Sequence, residues 1–407
     1  MDCRVEITRA IDRRVQLPLS KSLVARALII SALMDEQCEV ESGGCDGWCD
    51  DIDIMASCLK HGDGHVDVGA AGTAMRFLTA YFACRPGSAV TLDGSERMRQ
   101  RPIGVLVDAL RQMGASIEYV GNEGYPPLKI AGCQLHGGNI VMRGDVSSQY
   151  SSAVLMVSPL AGGITLTLEG DIVSRPYIDM TLAMMRHHGI EAHFASPTTI
   201  VVPAGHYVPA PIIIEGDWSA ASYWLALKAL LPESRLVLSP LAQDSLQGDR
   251  AIVEMMKPLG VECEFAGDAS VVLHRASLDS ALMQGAYERD MAATPDLVPA
   301  LVVTLCLLRV PFRLAGVATL RLKESDRLEA LCVELAKLGY RLEVSDNTLR
   351  YDGSHVPVTG EVVLCPHDDH RLAMALSLAA TRHKIVVTSA EVVSKSYPQW
   401  WQQLLIF

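Results

Sequence analysis

Four times along this chain an amphipathic stretch runs into a glycine and then into a short alternating stretch. Ile103–Met113 leads through Gly114 to Ala115–Tyr119, and Ile178–His188 through Gly189 to Ile190–Phe194. Ala251–Leu259 leads through Gly260 to Val261–Phe265, and Leu328–Leu338 through Gly339 to Tyr340–Val344. Asp51–Lys60 before Gly62 is a poorer copy. Apolar spacing near 3.6 followed by spacing of 2 predicts a helix and then a strand. The glycine between them is the natural left-handed end of the helix. The steps between the good copies are 75, 71 and 79 residues, so 407 residues hold roughly six such units. Strands near Val66–Val68, Ala89–Leu92, Ile164–Leu168, Ile212–Ile214, Leu236–Leu238 and Ile385–Thr388 fill the units. The expected class is α/β or α+β, with helices on the inside of the sheets.

A second echo divides the chain. Gly144-Asp145-Val146-Ser147-Ser148 resembles Gly216-Asp217-Trp218-Ser219-Ala220, and each precedes an apolar helix. Two similar halves follow, with the proline-rich 203–211 as a plausible crossover.

The predicted helices begin in a way that suits anions. Ser20-Lys21-Ser22 opens one, with Arg26 a turn later, and Ala71-Gly72-Thr73 opens another ahead of Arg76. Ser147-Ser148-Gln149, Glu324-Ser325-Asp326 and Asp369-His370-Arg371 open three more. A helix start carries unpaired N–H groups and the positive dipole end, which attract phosphate and carboxylate. Most of these starts carry Arg or Lys, although the chain's net charge is −12. Local groups must therefore supply any attraction for an acidic ligand.

Bulk composition narrows the rest. Apolar content of 49% and charged content of 20% give an ordinary core. The acidic balance argues against nucleic acid as a partner. Met1–Leu17 has no apolar run and does not read as a secretory signal. Leu297–Leu308 is too short to span a bilayer and reads as a buried helix. Eleven scattered cysteines fit reduced thiols, hence a cytoplasmic protein.

Several segments could carry chemistry. In LKESDRL (322–328), Ser325 or Asp326 is a good N-cap. Lys323 and Arg327 would share a face if the helix begins early, with Glu324 held between cations. Such a Glu stays ionised until a ligand neutralises its neighbours; the same segment is also a plain capping box with surface ion pairs. In CPHDDHR (365–371), Asp369 caps a helix His370–Thr381 and leaves Arg371 at its positive end, where it needs an anion, Asp368 being the simplest. Small residues in GAAGTAMR (69–76) admit a ligand to the backbone or merely pack helices. That segment is neither a Walker loop nor GxGxxG, so no nucleotide cofactor is indicated. Arg97, Arg99 and Arg101 would line one side of an extended loop. His367 with His370, and Cys45 and Cys49 with Asp50, Asp51 and His61, match no common metal site.

Taken in order, LPLSKS with Arg26, AGTAMR, DGSERMRQRPI, GDVSSQY, VSRPYID, GDWSAASY, QGD, TPD, KESDRL, DHR and KSYP resemble the enolpyruvyl transferase family, specifically its members that act on shikimate 3-phosphate. The resemblance implies two lobes, each of three βαβαββ units, one formed by 1–19 with 216–407 and the other by 20–215, with the active site in the cleft between them. It implies transfer of the carboxyvinyl group of phosphoenolpyruvate to the 5-hydroxyl of shikimate 3-phosphate through a tetrahedral intermediate. Phosphate leaves, and neither metal nor cofactor takes part. It implies shikimate-phosphate contacts at Lys21, Ser22, Arg26, Ser147, Ser148, Gln149, Ser174, Asp296, Thr319 and Lys323. It implies phosphoenolpyruvate contacts at Lys21, Gly72, Arg101, Gln149, Arg327, Arg371 and Lys395. By the same resemblance Asp296 is the base for the 5-hydroxyl, Glu324 the proton donor to the methylene carbon, and Lys21 steers the departing phosphate. A monomer acting on small molecules is implied, with no membrane or nucleic-acid partner. Leu19, Ala70 and Thr319 depart from the family's usual Gly, Asn and Asn.

Overall fold

A computed structural model describes residues 1–34, 41–42, 48–279, 282 and 285–405. Cys45 lies outside the described residues. The chain divides into two compact units, one holding Lys21–Ser42 and Asp50–Ile214, the other Met1–Ser20 and Glu215–Phe407 with Trp48 and Cys49.

The first unit contains two four-stranded sheets of identical topology. Asp63–Asp67 runs parallel to Ala89–Asp93, which pairs antiparallel with Leu128–Ala131, itself antiparallel to Ser116–Tyr119. Gly138–Arg143, Gly163–Glu169, Thr199–Pro203 and His193–Ser196 repeat that order and those directions. A two-residue parallel pair, Glu41–Ser42 with Ile213–Ile214, completes the unit.

The second unit uses the same plan. Asp12–Gln16, Arg235–Ser239, Ser270–Arg275 and Val261–Ala266 form one such sheet. Tyr287–Asp290, Phe312–Ala315, Thr348–His355 and Tyr340–Ser345 form another. A three-stranded sheet joins Glu361–Leu364 in parallel to Lys384–Val387, and the latter antiparallel to Cys3–Val5.

Why helices go inside follows from their side chains. Parallel strands need a crossover, and a helix supplies it. Gly72–Ala83, Ser148–Val157, Trp218–Leu230 and Val298–Leu308 are buried almost all round, so each lies within its unit rather than on a surface. The strands alternate instead: Leu236 and Leu238 are buried while Arg235 is exposed, which leaves one sheet face to solvent.

The four repeat glycines 114, 189, 260 and 339 adopt φ of +89°, +86°, +85° and +86°. At Gly339 a Cβ would also meet the Val356 carbonyl oxygen, so the position is closed to side chains twice over. Gly62 of the poorer copy does not take this conformation, because its helix, Asp50–Cys58, already ends earlier. The strand expected at 190–194 forms one turn later, at His193–Ser196. The helix from His370 is α-helical only to Ser377 and tightens to a 3-10 turn over Leu378–Thr381. No described helix is long and apolar enough to cross a membrane.

Candidate active site

In the second unit three chain segments meet on one arginine. A 3-10 turn, Pro295–Leu297, presents Asp296 as it enters the buried helix Val298–Leu308. The helix Arg327–Lys337 begins with Arg327, capped by Asp326, whose Oδ1 accepts from the backbone of Leu328 and Glu329. Asp369 caps His370–Ser377 by accepting from the Arg371 N–H at 2.9 Å.

Arg327 is the hub. Its Nη1 donates to Asp296 Oδ1 at 3.0 Å, its Nη2 to Glu324 Oε2 at 2.9 Å, and its Nε to Asp369 Oδ2 at 2.7 Å. Arg371 Nη2 donates to Asp296 Oδ2 at 2.8 Å. Lys323 Nζ lies 3.6 Å from Asp296 Oδ1, and Lys395 Nζ 3.6 Å from Glu324 Oε1. Four cations thus enclose three carboxylates and leave one net positive charge. Exposure separates the roles: Arg327 and Asp369 side chains are 1% and 0% exposed, but Asp296 and Glu324 are 18% and 15% exposed. The two carboxylates that could do proton chemistry are more exposed than the cation that holds them.

Electrostatics follow from these contacts. Burial opposes ionisation of Asp296, but Arg371, Lys323 and Arg327 outweigh it and hold the carboxyl well below the usual range. Burial likewise opposes the charge on Arg327, and Asp369, Glu324 and Asp296 more than restore it. Asp249 behaves oppositely. Burial first, and Asp296 second, push it up to about 6. Its carboxylate accepts a hydrogen bond from Ser219, in the second Gly-Asp-x-Ser echo. In the sequence Asp249 stands only as the acid of QGD, one of the segments that carry the resemblance, and a lone acid there gives no role of its own.

Two expectations need correction here. The helix begins at Arg327, so Lys323 precedes it with extended backbone and shares no helical face with Arg327. They converge on Asp296 instead. Arg371 takes its anion from Asp296, 75 residues away, rather than from Asp368.

In the first unit, Lys21 opens the helix Lys21–Ala32, and its Nζ lies 2.7 Å from Asp51 Oδ2. Ser22 gives its carbonyl to Arg26 Nη1 at 2.9 Å. Arg26 is buried, and its other nitrogens reach Thr181 Oγ1 at 2.7 Å, Ser152 Oγ at 3.1 Å and the Tyr177 carbonyl at 3.1 Å. Burial lowers its guanidinium to about 10, so it remains a cation at neutral pH.

Gly72 is the first residue of Gly72–Ala83, and Arg101 lies against it. A Cβ on Gly72 would stand 2.5 Å from Arg101 Nη1. Arg101 is itself buried, and its Nε has no hydrogen-bond partner. A guanidinium beside the positive end of a helix is the arrangement an anion stabilises. Gln149 Nε2 donates to Thr73 Oγ1 at 3.1 Å, bringing the start of Ser148–Val157, capped by Ser147, next to the start of Gly72–Ala83. Ser148 is buried there. Ser174 is buried at φ +54° just before Arg175–His187. Thr319, in the second unit, is half-buried in the turn Ala318–Leu322 leading to Lys323.

Arg97, Arg99 and Arg101 do not line one side of an extended loop. Ser95 caps a short helix, Glu96–Arg99, which leaves Arg97 exposed, pairs Arg99 with Asp93 at 2.6 Å and buries Arg101. Among the described residues no group of three or more His, Cys, Asp or Glu could hold a metal. His367 faces Glu334, and Asp51 is taken by Lys21.

This architecture recurs in solved enzymes. An EPSP synthase from Acinetobacter baumannii superposes with a TM-score of 0.73, covering 99% of this chain and 97% of its own at 22% identity. The enolpyruvyl transferase NikO from Streptomyces tendae does so with a TM-score of 0.70 at 17% identity, covering 99% of this chain and 96% of its own. The fold is therefore that of the enolpyruvyl transferases. Sequence carries the assignment further. Residues 60–404 match the family described as EPSP synthase (3-phosphoshikimate 1-carboxyvinyltransferase). The 3-phosphoshikimate 1-carboxyvinyltransferase of Bacteroides fragilis is 45% identical over 397 residues, 97% of this chain and 95% of its own. That of Shewanella halifaxensis is 36% identical over 359 residues, 87% of this chain and 82% of its own. The chain belongs to the EPSP synthase family.

Proposed function

We propose that this chain transfers the carboxyvinyl group of phosphoenolpyruvate to the 5-hydroxyl of shikimate 3-phosphate and releases phosphate, a step toward chorismate. The observation that carries this reading is the pair of accessible carboxylates, Asp296 and Glu324, held on the buried Arg327. Addition across the enol double bond needs a proton removed from oxygen and another delivered to carbon. Two acids with separate partners suit that division: Asp296 takes the hydroxyl proton, and Glu324 protonates the methylene carbon. Elimination of phosphate from the tetrahedral adduct, with loss of one proton from the new methyl group, regenerates a double bond.

Asp296 is a weak base while three cations surround it. A substrate carboxylate that draws Arg371 and Arg327 toward itself raises its proton affinity, so base strength appears on binding. Arg327, Arg371 and Lys395 bind phosphoenolpyruvate in this reading, with Lys21, Gly72, Arg101 and Gln149. Shikimate 3-phosphate engages Lys21, Ser22, Arg26, Ser147, Ser148, Gln149, Ser174, Asp296, Thr319 and Lys323. Lys21 compensates charge on the departing phosphate. The chain acts as a monomer in the cytoplasm, and no step calls for a metal or cofactor.

The test is phosphate release from phosphoenolpyruvate with shikimate 3-phosphate or UDP-N-acetylglucosamine as acceptor. Release with the first alone supports the assignment. Release with the second alone would make the chain a sister transferase.

A further inference from the structure

Arg327 has a counterpart on its own helix. Glu334 lies seven residues on, and two turns of α-helix return a residue to the same face. Arg327 grips Asp369. Glu334 grips the segment that leads to it: Oε2 accepts from the Cys365 N–H at 2.9 Å, and Oε1 pairs with His367 Nε2 at 3.0 Å. The Glu334 side chain is 1% exposed, so this carboxylate is built into the interior. Its third partner is Lys337 Nζ, at 2.7 Å.

The segment needs holding. The strand Glu361–Leu364 ends and the helix His370–Ser377 begins within six residues. Between them His367 and Asp368 stand at φ +51° and +56°, a region that residues with a Cβ occupy reluctantly. Such backbone persists where surrounding contacts over-determine it. The end of this segment sets Asp369, and Asp369 sets both the Nε of Arg327 and the backbone of Arg371.

We propose that Glu334 is a positioning residue for the reaction: it pins Cys365 and His367 so that Asp369 holds Arg327 and Arg371 where phosphoenolpyruvate needs them. The role rests on the function proposed above. Glu334 touches no reacting group; it acts through the loop.

The experiment is steady-state kinetics of Glu334→Gln, His367→Asn and Lys337→Met in the full chain, beside thermal unfolding. Glutamine keeps the shape of Glu334 but loses one acceptor and the charge. Asparagine tolerates positive φ and is too short to reach Glu334. Lys337 is an exposed partner that does not touch the Arg327 network, so its variant is the control. Glu334→Gln raises the KM for phosphoenolpyruvate about tenfold and leaves the KM for shikimate 3-phosphate within about twofold, since misplacement weakens only the contacts the loop sets. His367→Asn gives the same split, about threefold, and Lys337→Met gives none. Equal rises in both KM values, or a lowered Tm with both unchanged, would overturn the positioning role. An inactive parent chain would instead overturn the functional reading, and the role with it.

Discussion

Asp296 and Glu324 accept from the two terminal nitrogens of one guanidinium, Nη1 and Nη2 of Arg327, at 3.0 and 2.9 Å. Only a planar fork can serve two carboxylates and keep its Nε on a third, Asp369. Arg327→Lys retains the charge and loses the fork. Turnover should fall by roughly a hundredfold, because one ammonium cannot fix both acids, as in other losses of aligned catalytic groups. A variant within threefold of the parent kcat would show that the bridge is incidental.

Gly72 offers a test in which no charged group is changed. Alanine there puts a methyl 2.5 Å from Arg101 Nη1, so the guanidinium must move. The KM for phosphoenolpyruvate should rise about tenfold with Tm nearly unchanged, and Arg101→Ala should do the same more strongly. Titration of each substrate against the two variants reads the difference. Equal weakening of shikimate 3-phosphate would reassign Arg101.

Arg26 is a buried cation whose four bonded partners are neutral oxygens. An anionic ligand supplies the opposite charge that these do not. Arg26→Met should cost about 2 kcal/mol in the free protein, as lost buried hydrogen bonds do. It should also abolish most of the rise in Tm that shikimate 3-phosphate gives the parent. A full ligand-induced rise in the variant would confine Arg26 to the core.

Asp249 makes stability depend on pH in a definite direction. Its folded-state proton persists to about 6, whereas an unfolded aspartate releases it near 3.9. Between about pH 4 and 6 the folded state holds a proton that the unfolded state lacks, so stability falls as pH rises through that window. Asp249→Asn has no proton to lose and keeps an acceptor for Ser219. It should gain on the parent from pH 4 to 6, by up to about 3 kcal/mol on linkage grounds. Asp296 has the opposite sign. Its stabilisation is present above about pH 4 and is lost as pH falls below. Urea midpoints across pH 3–8 test both slopes, and a flat difference between Asp249→Asn and parent would contradict the first.

Local chemistry was legible in the sequence; long-range pairing was not. Gly114, Gly189, Gly260 and Gly339 could be read because a left-handed helix end favours one residue type. Asp326, Asp369 and Ser147 could be read as caps because their side chains satisfy N–H groups two or three residues away. The Asp296–Arg371 pair spans 75 residues and carries no periodicity, so only the family resemblance joined those segments. The arginines 97, 99 and 101 were misplaced because Ser95 caps a single turn too short to show a helical pattern. Glu334 has no sequence signal and Asp249 only its place in QGD, because what distinguishes both is burial, which depends on the packing of distant elements.

The central claim is that Glu324 delivers a proton to carbon while Asp296 removes one from oxygen. A single turnover in D2O with phosphoenolpyruvate and shikimate 3-phosphate tests it, read by mass spectrometry of the product. Protonation makes a CH2D group, and elimination then removes one of its three hydrogens, either a protium or the added deuteron, so a large fraction of the parent's product carries deuterium in its vinyl methylene. Glu324→Gln should form that product orders of magnitude more slowly. Product free of deuterium, or an unimpaired Glu324→Gln, would contradict it.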